Sequence, residues 1–223
     1  MINDNKISLD YLPNHPELKI YQHKDMIKIN TDTQVLGEFI SVHSDDVILD
    51  IGTNTGALLL YANMFKPKKL IGLDINEKAL EICKMNMDYH NITNYELICC
   101  DAMNYIGEEV DVIICNPPYF KTDINNKSNN EFLNLAKHEN GFTLEGMIKT
   151  AYNNLKLNGK FFMLFTSQRL NEVFVLLEKY HFKVKLLKFV YDENKEYSNV
   201  FMVKATKHGL DGMFVEKPII IKR

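Results

Sequence analysis

From residue 47 onward, short apolar runs alternate with amphipathic segments, and this alternation constrains the fold of the chain more than any other feature. The apolar runs predict strands, and the segments between them have the spacing of helices that pack one face against a sheet. Strands are predicted at residues 47–51, 70–73, 97–100, 110–115, 161–165, 184–190 and 200–205, and helices at residues 57–65, 77–90, 144–157 and 170–180. This order predicts an α/β fold with a mostly parallel seven-stranded sheet and helices on both faces.

The first 45 residues lack this alternation and are predicted to form a short N-terminal extension to a single domain over residues 46–223. Residues 18–22 and 26–29 alternate polar and apolar side chains, as two short strands do. Thr31 is followed three residues later by Gln34, which predicts a capping box with Thr31 as the helix N-cap. No Pro-, Gly- or Ser-rich linker divides the chain, and 223 residues suffice for one core.

Composition and charge argue against several classes of protein. The chain is 46% apolar and 25% charged, as globular proteins are, and no apolar run is long enough to cross a membrane. The four cysteines lack metal-ligand spacing, so we expect no metal site and interpret them as small buried residues of a cytoplasmic protein. The net charge of −3 argues against a nucleic-acid partner, but residues 179–223 hold ten Lys or Arg against five Asp or Glu. That local excess permits an RNA-facing surface.

A glycine-containing loop follows the first predicted strand and opens a helix. Its glycines, Gly52 and Gly56, allow a tight turn and a close approach of the backbone to a ligand, and Asn54 between them tolerates the left-handed conformation. The loop has neither the third glycine of a dinucleotide fingerprint nor the lysine of a phosphate-binding loop. Asp50, just before the first glycine, favours a ligand with a cationic amine over a pyrophosphate.

Carboxylates also end the next two predicted strands. Asp74, followed by Ile75, is placed to accept hydrogen bonds from the hydroxyls of a ribose. Asp101 is placed to accept from an adenine amino group, with Ala102 offering a backbone N–H. A lone aspartate in such a place is often only a helix N-cap. Three carboxylates at three successive strand ends favour a site for the amino-acid end, the ribose and the adenine of S-adenosylmethionine.

The sequence Asn-Pro-Pro-Tyr at residues 116–119 follows the fourth predicted strand. Two prolines stop the strand, because proline cannot donate a hydrogen bond to the ladder. The turn leaves the Asn116 amide, the Pro117 carbonyl and the Tyr119 ring at the carboxyl edge of the sheet, where open α/β sheets bind ligands. Two acceptors and an aromatic face suit transfer to a planar amine or amide nitrogen. We therefore predict these three residues as catalytic, with Asn116 also facing the cofactor.

A polar stretch, residues 120–141, comes directly after this turn. It is predicted either as a surface loop or as a lid over the substrate, and the two interpretations are compatible. Phe120 is predicted to stack on the substrate beside Tyr119, and His138 to contact the substrate or shape the lid. A solvated His138-Glu139 pair before a helix is an equally good interpretation.

Together, these motifs resemble the class I S-adenosylmethionine-dependent methyltransferases, and more narrowly the bacterial tRNA(Val) adenine-37-N6 methyltransferases. The resemblance covers most of the chain, although Asn54 stands where that family usually has glycine. It rests on residues 50–56 and 116–119, and on weaker motifs at residues 18–22, 31–33, 136–139 and 195–200. It implies a Rossmann-like fold, S-adenosylmethionine as cofactor, and direct methyl transfer to the N6 amino group of an adenosine in tRNA. We expect tRNA as the partner, neither DNA nor a membrane, and a monomer.

Other methyl acceptors are compatible with the Asn-Pro-Pro-Tyr turn. Enzymes that methylate a glutamine amide of release factors share it, and ribosomal RNA guanine-N2 methyltransferases have a chemically similar one. The release-factor enzymes usually carry a sizeable N-terminal helical domain, and the short strand-like extension predicted here does not resemble one. DNA adenine methyltransferases usually have a separate target-recognition domain. A silent S-adenosylmethionine-binding module would have no need of an intact Asn116 turn.

Overall fold

The computed structural model describes residues 6–117 and 143–222. Eleven strands lie in these two segments: β1 Ile7–Leu12, β2 His15–His23, β3 Val47–Ile51, β4 Lys69–Asp74, β5 Tyr95–Cys99, β6 Val110–Cys115, β7 Leu155–Thr166, β8 Phe182–Asp192, β9 Val200–Lys207, β10 Phe214–Val215 and β11 Ile219–Ile221. The same segments contain five α-helices: α1 Thr31–Phe39, α2 Ala57–Asn63, α3 Glu77–Tyr89, α4 Leu144–Asn154 and α5 Leu170–Lys179.

The central sheet has the strand order β10-β8-β9-β7-β6-β3-β4-β5, with β11 also paired to β8. Strands β5, β4, β3, β6 and β7 are parallel to one another, whereas β9 runs antiparallel between β7 and β8. The predicted α/β fold with a mostly parallel seven-stranded sheet is therefore confirmed. The two short strands β10 and β11 extend that sheet beyond β8.

Helices cover both faces of the sheet, as predicted. Helices α1, α2 and α3 bury residues such as Leu36, Leu59 and Cys83 against one face, while α4 and α5 bury Met147 and Leu177 against the other. Each fully buried aliphatic side chain contributes about 1.5–3 kcal/mol to stability, so these two layers hold the sheet rigid. None of the described helices is long and apolar enough to span a bilayer.

The N-terminal strands differ from the prediction. β2 contains the predicted strand at residues 18–22, but its antiparallel partner is β1, and the two are joined through Asn14 in the left-handed conformation (φ 62°). The strand predicted at residues 26–29 is wrong. Met26 instead packs against Ala79 and Ile82 of α3, so residues 24–30, which connect β2 to α1, form a strap beside that helix.

The start of α1 is shifted by one residue from the predicted capping box. Asn30, in extended conformation, is the N-cap, and its side chain accepts a hydrogen bond from the Thr33 N–H at 3.0 Å. Thr31 is already the first helical residue, and Gln34 donates to Glu38 instead of reaching back. Asparagine caps a helix at least as well as threonine, so the residue that the turn places in extended conformation takes the role.

Helix α4 ends earlier than its C-cap sequence predicts. The Asn158-Gly159 pair does not terminate the helix, because Leu155 pairs with Val110 of β6 and begins β7. Asn158 has φ 64° and bends the strand, which brings Lys160 back into register with Val112. A left-handed asparagine followed by glycine thus forms an irregularity within a strand.

Candidate functional site

Four polar residues lie in order along the carboxyl edge of four adjacent parallel strands. Asn116 follows β6, Asp50 lies near the end of β3, Asp74 ends β4, and Asp101 follows β5. These strands are direct neighbours, with Asp50 paired to Ile114 on one side and to Gly72 on the other. The fold therefore brings the four predicted residues to one edge of the sheet.

The loop after β3 takes the left-handed conformation at three positions, Gly52 (φ 76°), Asn54 (φ 49°) and Gly56 (φ 84°). The N–H groups of Gly52 and Thr53 both donate to the Leu73 carbonyl, at 2.9 and 2.8 Å, which ties the loop to β4. A side chain at Gly56 would meet the Cys83 sulfur at 2.6 Å, whereas no atom of the described residues lies within 4 Å of the same position at Gly52. The loop is thus packed against α3 at one glycine and open at the other.

Asn54 connects this loop to two other elements. Its backbone N–H donates to Asp74 Oδ2 at 2.8 Å, and its side-chain amide donates to the Ile27 carbonyl at 2.7 Å. The residue that departs from the glycine pattern therefore ties the strap of residues 24–30 to the loop. A glycine could adopt the same backbone conformation but could not make the second bond.

Asp50 is a fully buried carboxylate without a compensating partner. Its side chain is 0% exposed, and neither oxygen has a hydrogen-bond partner among the described residues. Burial raises the pKa of Asp50 to about 7, and the nearby charge of Asp74 adds to the rise. The Thr53 hydroxyl favours the charged form and partly opposes that rise in pKa, although it makes no hydrogen bond of normal geometry. A carboxyl group buried in this way is held as the neutral acid below about pH 7.

Asp74 is better provided with donors. Its Oδ1 accepts from the Asn76 N–H at 2.9 Å, and its Oδ2 accepts from the Asn54 N–H at 2.8 Å. Burial raises the pKa of Asp74, and the backbone N–H groups of Asn76, Asn54 and Ile75 oppose that rise. The carboxylate is held in one orientation while part of its surface is open, and the Ile75 side chain beside it is 48% exposed.

Asp101 serves as a helix N-cap. It precedes a short 3₁₀ helix, Ala102–Asn104, where its Oδ1 accepts from the Met103 N–H at 2.9 Å and its Oδ2 from the Asn104 side chain at 3.1 Å. Each carboxylate oxygen can accept a further bond, so the capping role leaves a ligand contact open. Ala102 is half-buried, and its carbonyl accepts from Thr150 of α4 at 3.1 Å.

Asn116 and Pro117 lie at the same edge. Asn116 is half-buried and Pro117 is buried, directly after the buried end of β6. Since β6 is the neighbour of β3, these two residues stand beside the loop that follows Asp50. Three other predicted site residues, Tyr119, Phe120 and His138, lie outside the described residues.

Asn86 joins the N-terminal hairpin to this site and was not predicted from the sequence. It is 0% exposed in α3, and its Oδ1 accepts from the Tyr21 N–H at 2.6 Å. Its amide nitrogen donates to the carbonyls of Tyr21, at 3.1 Å, and Thr55, at 2.8 Å. The signal in the sequence is an amide on the apolar stripe of a helix, four residues after Ile82, where an aliphatic side chain is the usual choice.

We expect Asn86→Ala to lower the free energy of unfolding by about 3 kcal/mol, because it leaves the buried Thr55 carbonyl and the half-buried N–H and carbonyl of Tyr21 without their partner. Asn171→Ala, which removes an exposed asparagine from α5, serves as the matched control and stays within about 0.5 kcal/mol of the parent protein. Urea unfolding of both variants measures the difference. Equal stability of the two variants would show that Asn86 does not hold the hairpin.

Known methyltransferases are similar to this chain in sequence. Residues 42–217 match the family model described as a methyltransferase domain. A protein of Bacteroides thetaiotaomicron named tRNA1(Val) (adenine(37)-N6)-methyltransferase is 28% identical over 169 residues, covering 74% of this chain and 70% of that protein. A protein of the same name from Shewanella halifaxensis is 26% identical, over 70% of this chain and 65% of its own length. The chain thus aligns with about two thirds of each relative, and the resemblance inferred from the sequence is confirmed.

Solved structures show the same fold. Trm5 of Methanocaldococcus jannaschii, crystallised in complex with adenosine, superposes with a TM-score of 0.71 at 14% identity. The match covers 92% of this chain and 57% of that protein. At this identity the similarity concerns the arrangement of strands and helices, and it supports the Rossmann-like prediction.

Proposed function

The chain belongs to the methyltransferase-domain family, and from this premise we propose that it methylates the N6 amino group of an adenosine in tRNA, adenosine 37 of tRNA(Val), with S-adenosylmethionine as donor. The observation that carries the proposal is the position of Asn116 and Pro117 at the end of β6, beside the strand that bears Asp50. An acceptor for an amino group and a site for a cationic ligand then share one edge of the sheet. The name shared by the curated relatives supports adenine as the acceptor.

The described residues fit S-adenosylmethionine in charge and in hydrogen-bonding groups. Asp50 and Thr53 present buried oxygen atoms without partners among the described residues, which a ligand amine would satisfy. Gly52 leaves open space beside the loop, and Asp74 is oriented to accept from a ribose. The amino-acid end of the ligand is held by Asp50, Gly52, Asn54 and Gly56. The ribose is held by Asp74 and Ile75, and the adenine is held by Asp101 and Ala102. When bound, S-adenosylmethionine supplies an electrophilic methyl group on a sulfonium.

Asn116 and Pro117 position the acceptor nitrogen. The Asn116 side-chain oxygen and the Pro117 carbonyl each accept a hydrogen bond from one N–H of the target amino group, which fixes the direction of the nitrogen lone pair. Hydrogen bonding of both protons also reduces conjugation of the nitrogen with the ring. No strong base is required before attack, because the main contribution of the protein is orientation.

Stacking holds the adenine ring in the proposed mechanism. Extruding a base costs about a few kcal/mol, less in a single-stranded loop than in a duplex. Stacking on an aromatic side chain returns roughly 1–3 kcal/mol per base. Tyr119 and Phe120 are the proposed stacking residues, with His138 as a further substrate contact. A base in the anticodon loop suits this arrangement, since specific RNA recognition generally targets unpaired bases.

Incubation with labelled S-adenosylmethionine and separate pools of tRNA, ribosomal RNA, DNA and release factor tests the proposal. We expect label in tRNA, N6-methyladenosine as the product in nucleoside mass spectrometry, and no label in a tRNA(Val) transcript with guanosine in place of adenosine 37. N2-methylguanosine in ribosomal RNA, or label in release factor alone, would instead identify one of the two alternative enzymes and contradict the proposal.

A further inference from the structure

Asp50 and Thr53 are buried polar residues whose side-chain oxygens find no partner in the part of the chain that the structure describes. Both Asp50 oxygens and the Thr53 hydroxyl are shielded from solvent, and none has a hydrogen-bond partner among residues 6–117 and 143–222. Thr53 belongs to the loop that follows Asp50, and this loop is open at Gly52. A buried carboxylate without a compensating group is strongly disfavoured, so the site either holds a proton or takes a cation from outside.

The described groups around Asp50 do not supply that cation. On the β4 side stands Asp74, whose charge opposes ionisation of Asp50. Cys83 of α3 and Cys115 of β6 lie on the other sides of Asp50. Burial raises the pKa of both thiols, so they stay neutral. The loop contributes the uncharged Thr53. Among the described groups that shift the pKa of Asp50, none is cationic.

We propose that the buried Asp50 carboxyl holds a proton in the free protein and releases it to solvent when a ligand with an α-ammonium group binds beside it. This inference rests on the proposed function, because it takes S-adenosylmethionine as the ligand. The exchange is balanced, since the neutral acid and the ligand ammonium become a carboxylate–ammonium pair and one proton enters the buffer. No covalent bond of the ligand is formed or broken.

The direction of the pH dependence follows from the raised pKa of Asp50, about 7. Below pH 7 the carboxyl group must lose a proton before it can pair with the ammonium, so affinity weakens by about tenfold for each unit of pH. The ligand amine itself stays cationic in this range, because α-amino groups titrate near pH 7.7–8.0. A ligand that lacks the amine has no such dependence on Asp50.

Two nucleosides make a matched pair of probes. S-adenosylhomocysteine carries the amino-acid end with its ammonium group, whereas 5′-methylthioadenosine has the same adenosine and thioether without it. Titration calorimetry at pH 6, in three buffers of different ionisation enthalpy, counts the protons that each ligand releases. We expect S-adenosylhomocysteine to release most of one proton, because the raised pKa of Asp50 keeps this carboxyl largely protonated at pH 6, and 5′-methylthioadenosine to release close to none.

The results of the titrations distinguish a failure of proton release from a failure of the proposed function. Binding of S-adenosylhomocysteine without proton release, or equal release with both nucleosides, overturns the inference and leaves the methyltransferase proposal standing. Failure of S-adenosylhomocysteine to bind overturns the cofactor assignment itself. Asp50→Asn identifies the source of the proton, because burial also raises the pKa of Asp74. Proton release that persists in this variant assigns the proton to another group and overturns the inference. Binding of 5′-methylthioadenosine to the variant checks that it is folded.

Discussion

Replacing Asn116 with alanine is expected to lower kcat by about 10³-fold, the range seen when an enzyme loses a single positioned hydrogen-bonding group at the reacting centre. The variant keeps the Pro117 carbonyl, but one acceptor cannot fix the direction of the nitrogen lone pair. The dissociation constant of S-adenosylmethionine should change by less than about threefold, because the carboxylates of β3 and β4 are untouched. Single-turnover kinetics with saturating cofactor measure the loss, and equilibrium titration measures the affinity.

Two further variants test whether the loss of activity comes from the side-chain oxygen of Asn116. Asn116→Asp keeps an oxygen acceptor and should retain more activity than Asn116→Ala, since a carboxylate accepts from an amino group as an amide does. Asn171→Ala removes an exposed asparagine from α5 and should leave kcat unchanged. Cofactor affinity that falls in Asn116→Ala while turnover per bound cofactor stays normal would show that Asn116 binds the cofactor and does not orient the acceptor.

The position of the candidate site could be predicted from the sequence because it depends on local patterns. In a parallel sheet every carboxyl end meets the same edge, so Asp50, Asp74 and Asp101 converge once their strands are recognised. Whether each carboxylate has partners could not be predicted. Asp74 receives the Asn76 N–H from its own turn and the Asn54 N–H from the loop that folds back on β4, whereas Asp50 receives no donor from the described residues.

The N-terminal hairpin shows where sequence patterns fail. Residues 26–29 alternate as a strand does, yet Met26 finds its apolar partner on α3, more than fifty residues away in sequence. Asn86 is equally non-local, since it bonds to Tyr21 and Thr55 from the middle of a helix. Local periodicity describes which face of a segment is apolar, whereas the element that covers this face is decided by tertiary packing.

A second large effect concerns stability. At pH 8 and without cofactor, Asp50→Asn is expected to be more stable than the parent protein by an amount on the order of 4 kcal/mol. The pKa of Asp50 is raised from 3.8 to about 7 in the folded protein, so the folded state binds the proton more tightly than the unfolded state does. The stability that this group contributes is therefore complete below about pH 4, declines between pH 4 and 7 by about 1.4 kcal/mol per unit, and is gone above pH 7. Asparagine fills the same space without a charge and avoids this loss.

Urea unfolding at pH 5, 6, 7 and 8 tests this expectation, with Asp45→Asn as the control because it removes a carboxylate from the surface and should change stability by less than about 0.5 kcal/mol. The advantage of Asp50→Asn should grow with pH and level off above pH 7. Saturating S-adenosylhomocysteine should reduce it, because the ligand ammonium stabilises the charged form of Asp50 and has no such partner in the variant. A parent protein that is more stable than Asp50→Asn at pH 8 would show that the folded chain compensates the Asp50 charge by itself. Asp50 would then already be charged in the free protein. Binding of the ligand ammonium would release no proton from it, and the expected stability advantage of Asp50→Asn would be absent.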